Sequence, residues 1–152
     1  MLDLFLTFVA ASVAAAATGM IFKPGAWYDS LQKPTWVPPN WMFPVVWTIL
    51  YLLSAWAATR IAVKPDNAQA MAFWALQITL NTLWTPVFFG AKRMGLAMVV
   101  IAVLWLTVAA MLVAFWQLDA LAAVFVLPYL AWLTVAAALN WRVWRDNRGT
   151  VA

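Results

Sequence analysis

Five stretches of the chain are each long and apolar enough to cross a lipid bilayer, and nothing else in the sequence constrains the fold as strongly. They run from about Leu4 to Phe22, Pro44 to Val63, Ala68 to Phe89, Gly95 to Trp116 and Ala120 to Trp141. A spanning helix needs about 20 mostly apolar residues. Lipid offers the backbone no partner, so each stretch must satisfy its own amides as a helix. Composition agrees: 67% of the 152 residues are hydrophobic and 9% are charged, against roughly a quarter charged in a soluble domain. A soluble enzyme, a disordered chain and a disulfide scaffold are thereby excluded. The chain has no Cys, His or Glu. That removes thiol chemistry, the usual metal ligands and the Ser-His triad. No metal site is expected.

The expected architecture is an all-α integral membrane protein, a single domain over residues 1–152 with five transmembrane helices. Their expected bounds are 4–22, 44–63, 68–89, 95–116 and 120–141. Three links are very short, Lys64–Asn67, Gly90–Met94 and Gln117–Asp119. Short links imply antiparallel neighbours, so helices two to five are expected to form an up-down bundle. The segment 23–43 differs: it holds Pro24, Gly25, Pro34, Pro38 and Pro39 among Trp27, Tyr28, Trp36 and Trp41. Its prolines forbid a regular helix, and its aromatics are too many for a solvated linker. It is expected to be an ordered lid over one end of the bundle.

The first stretch carries Asp3 and no basic residue ahead of it. That is the wrong sign for a secretory signal, so it is expected to be retained as a helix. Ala11, Ala15 and Gly19 lie four apart on it and offer a smooth face for close helix contact. Basic residues divide two against seven. Arg60 and Lys64 fall on one side; Lys23, Lys33, Lys92, Arg93, Arg142, Arg145 and Arg148 fall on the other. In a bacterial inner membrane this places the C-terminus and the 23–43 loop in the cytoplasm. The net charge of +4 is read as this topology signal and not as nucleic-acid binding. The basic tail, 142–152, suits anionic headgroups.

Twelve tryptophans exceed what interfacial anchoring requires. Trp74, Gln77, Asn81, Trp84 and Phe88 recur at helical spacing and share one face. Gln77 and Asn81 are costly polar groups near membrane depth. They are either hydrogen-bonded packing between helices or the lining of a ligand cavity. Helix two repeats the pattern with Pro44, Trp47, Tyr51 and Ser54, and helix five with Pro128, Trp132, Ala136 and Leu139 or Asn140. Three such stripes would enclose a flat, aromatic-walled slot with a few hydrogen-bonding groups, suited to a planar apolar ligand. The alternative is that the indoles simply fill the core. Pro86 and Pro128, inside apparent helices, are either ordinary kinks or points where a cavity widens. Other tryptophans, Trp105, Trp116, Trp141 and Trp144, are read as interface or lipid-facing anchors.

Several blocks resemble the translocator protein family, also called tryptophan-rich sensory proteins or peripheral-type benzodiazepine receptors. The first is Trp27-Tyr28-Asp29, followed by Lys33-Pro34-Thr35-Trp36-Val37-Pro38-Pro39. Phe43-Pro44-Val45-Val46-Trp47-Thr48-Ile49-Leu50-Tyr51 and Asn81-Thr82-Leu83-Trp84-Thr85-Pro86-Val87-Phe88-Phe89-Gly90 continue it. Pro128-Tyr129-Leu130-Ala131-Trp132 and the run Leu139-Asn140-Trp141-Arg142-Val143-Trp144-Arg145-Asp146-Asn147 complete it. The resemblance implies a five-helix bundle that dimerises and a pocket under the first loop for porphyrins and benzodiazepine-site ligands. Carried over, that pocket comprises Tyr28, Trp36, Pro38, Trp47, Tyr51, Asn81, Trp84, Trp132, Ala136 and Leu139. It implies no required cofactor, with protoporphyrin IX or another tetrapyrrole as ligand. Partners implied are the lipid bilayer, porphyrin, a second copy of the chain and a sterol-like lipid. In bacterial members, tryptophans matching Trp47 and Trp132 are linked to light- and oxygen-dependent porphyrin breakdown. The animal sterol pattern is altered: Trp141 stands at its tyrosine position, between Leu139 and Arg145. The function expected is a membrane receptor or sensor of tetrapyrroles, involved in their regulation, export or photo-oxidative disposal. A transporter of porphyrin or sterol-like lipid, and a light-dependent porphyrin-degrading enzyme, are the alternatives. An ion-coupled transporter is disfavoured, because all five acids (Asp3, Asp29, Asp66, Asp119 and Asp146) fall at helix ends or in loops.

Overall fold

The computed structural model describes residues 1–149. The described chain is helical throughout: α1 (Leu2–Ile21), α2 (Ala26–Ser30), α3 (Met42–Ala62), α4 (Ala68–Thr85), α5 (Met94–Leu118) and α6 (Ala120–Asp146). Four of them, α1, α3, α5 and α6, are long and apolar enough to cross a membrane. α4 is less apolar because Gln69, Gln77 and Asn81 fall within its 18 residues. Beyond Thr85 the chain does not end abruptly. Residues Pro86–Gly90 wind one π-helical turn, closed by the Ala91 N–H donating to the Pro86 carbonyl at 2.8 Å. Pro86 has no N–H to give the preceding turn, and the wider coil follows from that point. The expectation from sequence is a helix to Phe89 with Pro86 as a kink or a point where a cavity widens; a π turn at Pro86–Gly90 takes the place of its end.

The long helices stand in a ring, in the order α1, α3, α6, α5, α4. α5 and α6 are joined through Asp119 alone and pack along their length. α3 and α4 depart from the expectation that short links make neighbours. They meet only weakly, and each packs on α1 instead. The physical reason lies in α1, whose buried residues are the small Ser12 and Ala15. A slim face wedges between the two helices and holds them apart. Further along that face the expected close contact fails. A Cβ at Gly19 would meet nothing within 4 Å, because Gly19 faces a cavity.

The two halves of the ring differ. In one half, Ala55, Ala57, Ala58, Ala122 and Ala123 are fully enclosed. Small residues let α3 and α6 close tightly around Leu104, Val108, Met111 and Phe115 of α5. This end is clamped at Asp119, whose carboxylate caps α6 by accepting the Leu121 and Ala122 N–H groups. The same carboxylate meets Arg60 at 2.7 Å and Lys64 at 3.6 Å. In the other half the helices splay, and residues 22–41, containing α2, fold back across the opening. Tyr28 and Leu31 bury themselves against Phe88, Met94, Leu139 and Val143. The Lys33 ammonium staples the end of α2 by donating to the carbonyls of Tyr28, Asp29 and Leu31.

Candidate functional site: an aromatic cavity beneath the lid

The splayed half encloses a cavity of about 640 Å³, within the range of roughly 300–1,000 Å³ usual for small-molecule sites. Ala15, Ala16 and Gly19 of α1 form its smooth side. Trp47, Thr48 and Tyr51 of α3 and Trp132, Ala136 and Leu139 of α6 form the facing walls. Tyr28, Phe88 and Phe89 roof it, and Ile101, Leu104 and Leu133 lie at its base. Trp84 stacks on Phe88 with ring centroids 5.0 Å apart and planes inclined by 23°. Phe43 meets Trp132 edge-on at 5.8 Å. The π turn matters here, because it delivers Phe88 and Phe89 together to the roof.

Eight of the ten residues expected at the site line this one cavity: Tyr28, Trp47, Tyr51, Asn81, Trp84, Trp132, Ala136 and Leu139. Trp36 and Pro38 do not. They lie on the outer side of the lid, and Trp36 is 47% exposed. The suggested sterol contact is divided as well. Leu139 is buried and faces the cavity, whereas Trp141 is on the outside with the Arg145 guanidinium over its ring at 4.6 Å. Pro128 also faces outward and lines a shallow apolar groove with Val46, Ile49, Ala131 and Val135; it does not widen the inner cavity.

The choice between packing and lining for the two amides resolves differently for each. Asn81 lines the cavity, accepting from the Tyr51 hydroxyl at 2.7 Å and donating to the Tyr129 hydroxyl at 2.8 Å. Gln77, 1% exposed, lies below it and accepts from Tyr129 at 2.8 Å. A chain of four polar groups thus separates the cavity from the solid half and ties α3, α4 and α6 together. Each interhelical bond of this kind contributes about 0.6–2 kcal/mol in a membrane protein. A second tie sits higher. The Trp84 indole donates to Asn140 Oδ1 at 3.0 Å, and Asn140 Nδ2 donates to the Met94 carbonyl at 3.1 Å. The Trp74 indole similarly finds Ser54. The Trp132 indole N–H is enclosed with no protein partner. A buried donor left alone is expensive. Among the described residues, the one charged side chain on the rim is Lys23.

The stripe expected on α6 reaches the cavity at Trp132, Ala136, Leu139 and Asn140 but not at Pro128, and it leaves out Tyr129. The inward face runs through Tyr129, Leu133, Ala136, Asn140, Val143 and Asn147. The signal available was the spacing of its polar members, Tyr129, Asn140 and Asn147, at eleven and seven residues, three and two helical turns.

A ring of apolar helices around an aromatic, lidded cavity defines a helical membrane protein with an internal pocket of ligand size. Residues 5–145 match the TspO/MBR family, and the chain belongs to it. The protein is 52% identical to Protein CrtK of Rhodobacter capsulatus over 97% of this chain and 95% of that one. It is 54% identical to the tryptophan-rich sensory protein of Cereibacter sphaeroides, over 95% and 91%. The human translocator protein is 40% identical over 81% of this chain and 76% of its own. With its apolar helices, this membership makes the protein an integral, multi-pass membrane protein.

Proposed function

We propose that the protein is a membrane receptor and sensor that takes a flat tetrapyrrole, of the protoporphyrin IX kind, into the cavity beneath the lid. The observation that carries this reading is the convergence of eight separately placed residues on one aromatic-walled space. Two facing indoles, Trp47 and Trp132, suit the faces of a planar macrocycle. Relatives named as sensory and translocator proteins agree with a binding role. No cofactor is required beyond the ligand.

Five spans are part of the same reading. α4 and its π turn together cover residues 68–90, about 34 Å at 1.5 Å per residue. Gln77 and Asn81 are enclosed by neighbouring helices, so lipid does not meet them. The lid and C-terminus face the cytoplasm, on the side with seven of the nine basic residues. The bilayer and a second copy of the chain are the partners proposed. α1 presents Leu6, Val13 and Met20 outward for them.

Light-driven disposal of the bound porphyrin is a second reading, favoured by the position of Trp47 and Trp132 in the cavity wall. One titration tests the first reading and its irradiated counterpart the second. Protoporphyrin IX added in the dark to detergent-solubilised protein should quench tryptophan fluorescence saturably, at micromolar concentrations or below. Linear, unsaturable quenching would mean partition into micelles and would overturn the binding reading. Under light, the Trp47→Phe/Trp132→Phe variant should keep binding but lose porphyrin breakdown. Unchanged breakdown would remove these indoles from that role.

A further inference from the structure

The lid is joined to the bundle by one polar side chain. Asn147, 2% exposed, directly follows Asp146 as the C-cap of α6, in line with its inward face. Its Oδ1 accepts the Gln32 N–H at 2.9 Å, and its Nδ2 donates to the Gln32 carbonyl at 2.9 Å. The same Nδ2 also donates to the Val143 carbonyl at 2.7 Å. Among the described residues, no other hydrogen bond ties 23–41 to a long helix that does not adjoin them in sequence. The rest of the lid's attachment is packing of Trp27, Tyr28 and Leu31, with the Lys92 ammonium 5.9 Å from the centre of the Trp27 ring.

We propose that Asn147 is the latch that holds the lid closed and thereby sets how long a ligand stays in the cavity. It is a positioning residue, because it does not line the cavity. It acts through the lid backbone. A side-chain amide supplies both an acceptor and a donor, here to the N–H and the carbonyl of one residue, Gln32. An aspartate there would keep the bond from the Gln32 N–H but turn an oxygen toward two carbonyls. Val143 and Leu139, one and two turns below, line the cavity, so one helix carries both wall and latch. The claim about ligand residence rests on the reading of the cavity as a tetrapyrrole site; the claim about the lid does not.

The test therefore has two readouts, in detergent-solubilised full-length protein. The first is amide hydrogen exchange without ligand. Asn147→Ala should raise exchange of the amides of residues 28–33 by about tenfold or more, from the loss of two net hydrogen bonds. Amides of α4 and α5 should keep their wild-type rates. The second is protoporphyrin IX dissociation, which should quicken by about tenfold with association no slower. Asn147→Asp should behave like the alanine variant. The chain has no cysteine, so a Gln32→Cys/Asn147→Cys pair can be bridged by a short bis-methanethiosulfonate. Bridging should slow both association and dissociation, and reductant should reverse it. Wild-type lid exchange in Asn147→Ala would overturn the latch, whatever happened to binding. Uniformly faster exchange across all helices would also overturn it, since the residue would then be structural. Faster lid exchange, in a protein whose wild type binds no porphyrin, would uphold the latch and reject the tetrapyrrole reading.

Discussion

At the scale of single residues, Asn81 holds the cavity floor together. It is not a free amide waiting for ligand; it bridges the hydroxyls of Tyr51 and Tyr129. Asn81→Ala should therefore cost about 1–3 kcal/mol of stability, from two hydroxyls losing a partner. It should also weaken porphyrin binding. Thermal unfolding and the dark titration measure the two effects; an unchanged melting temperature would mean the chain is not a structural tie. Asp119 provides a pH test. Burial works to raise its carboxyl, but the Ala122 N–H, the Arg60 guanidinium and the Lys64 ammonium outweigh it and leave the group below its usual value. A depressed folded value means stability is present above about pH 4 and is lost as pH falls through the folded value. Melting temperature should drop on acidification in that range, and Asp119→Asn should be lower at neutral pH but flatter in acid. Which residues would line a site was largely legible, because aromatics and amides at spacings of three and four share a face. Which amide was packing and which was lining was not. That depends on partners supplied by other helices, above all Tyr129.

At the scale of elements, the π turn at Pro86–Gly90 is the departure with functional weight. The sequence shows Pro86 and thus a fault in the helix. It does not show how the fault is resolved, because the neighbouring backbone decides that. Here the extra width turns Phe88 and Phe89 into the roof, while a Cβ at Gly90 would lie 2.8 Å from the Phe22 ring. Pro86→Ala restores a backbone donor and permits an α-helical continuation. That would rotate Phe88 and Phe89 by about 100° each and spoil the roof. The variant should fold, with porphyrin affinity reduced by about tenfold; unchanged affinity would mean the π turn does not shape the site. Helix bounds were legible to within a few residues from hydropathy. The neighbour order was not, because a short link limits how far apart helices stand without dictating what slides between them. The small face of α1 does so here.

At the scale of the whole molecule, one half of the ring is packed solid with alanines and the other is held open under a lid. A protein built only to stand in a membrane has no need of the open half. The proposed sidedness rests on charge: Arg60 and Lys64 lie at the solid end, and Lys23, Lys33, Lys92 and Arg93 lie around the lid. A membrane-impermeant thiol reagent should reach Lys64→Cys from outside intact cells and Arg148→Cys only after lysis. The reverse pattern would invert the proposed topology. The central claim is that a tetrapyrrole occupies the cavity between Trp47 and Trp132. An experimentally determined structure of the protein with protoporphyrin IX, prepared in the dark, tests it most directly. The account predicts the macrocycle beneath the lid, between those two indoles. Porphyrin found only on the lipid-facing surface, with the cavity closed to it, would contradict the account.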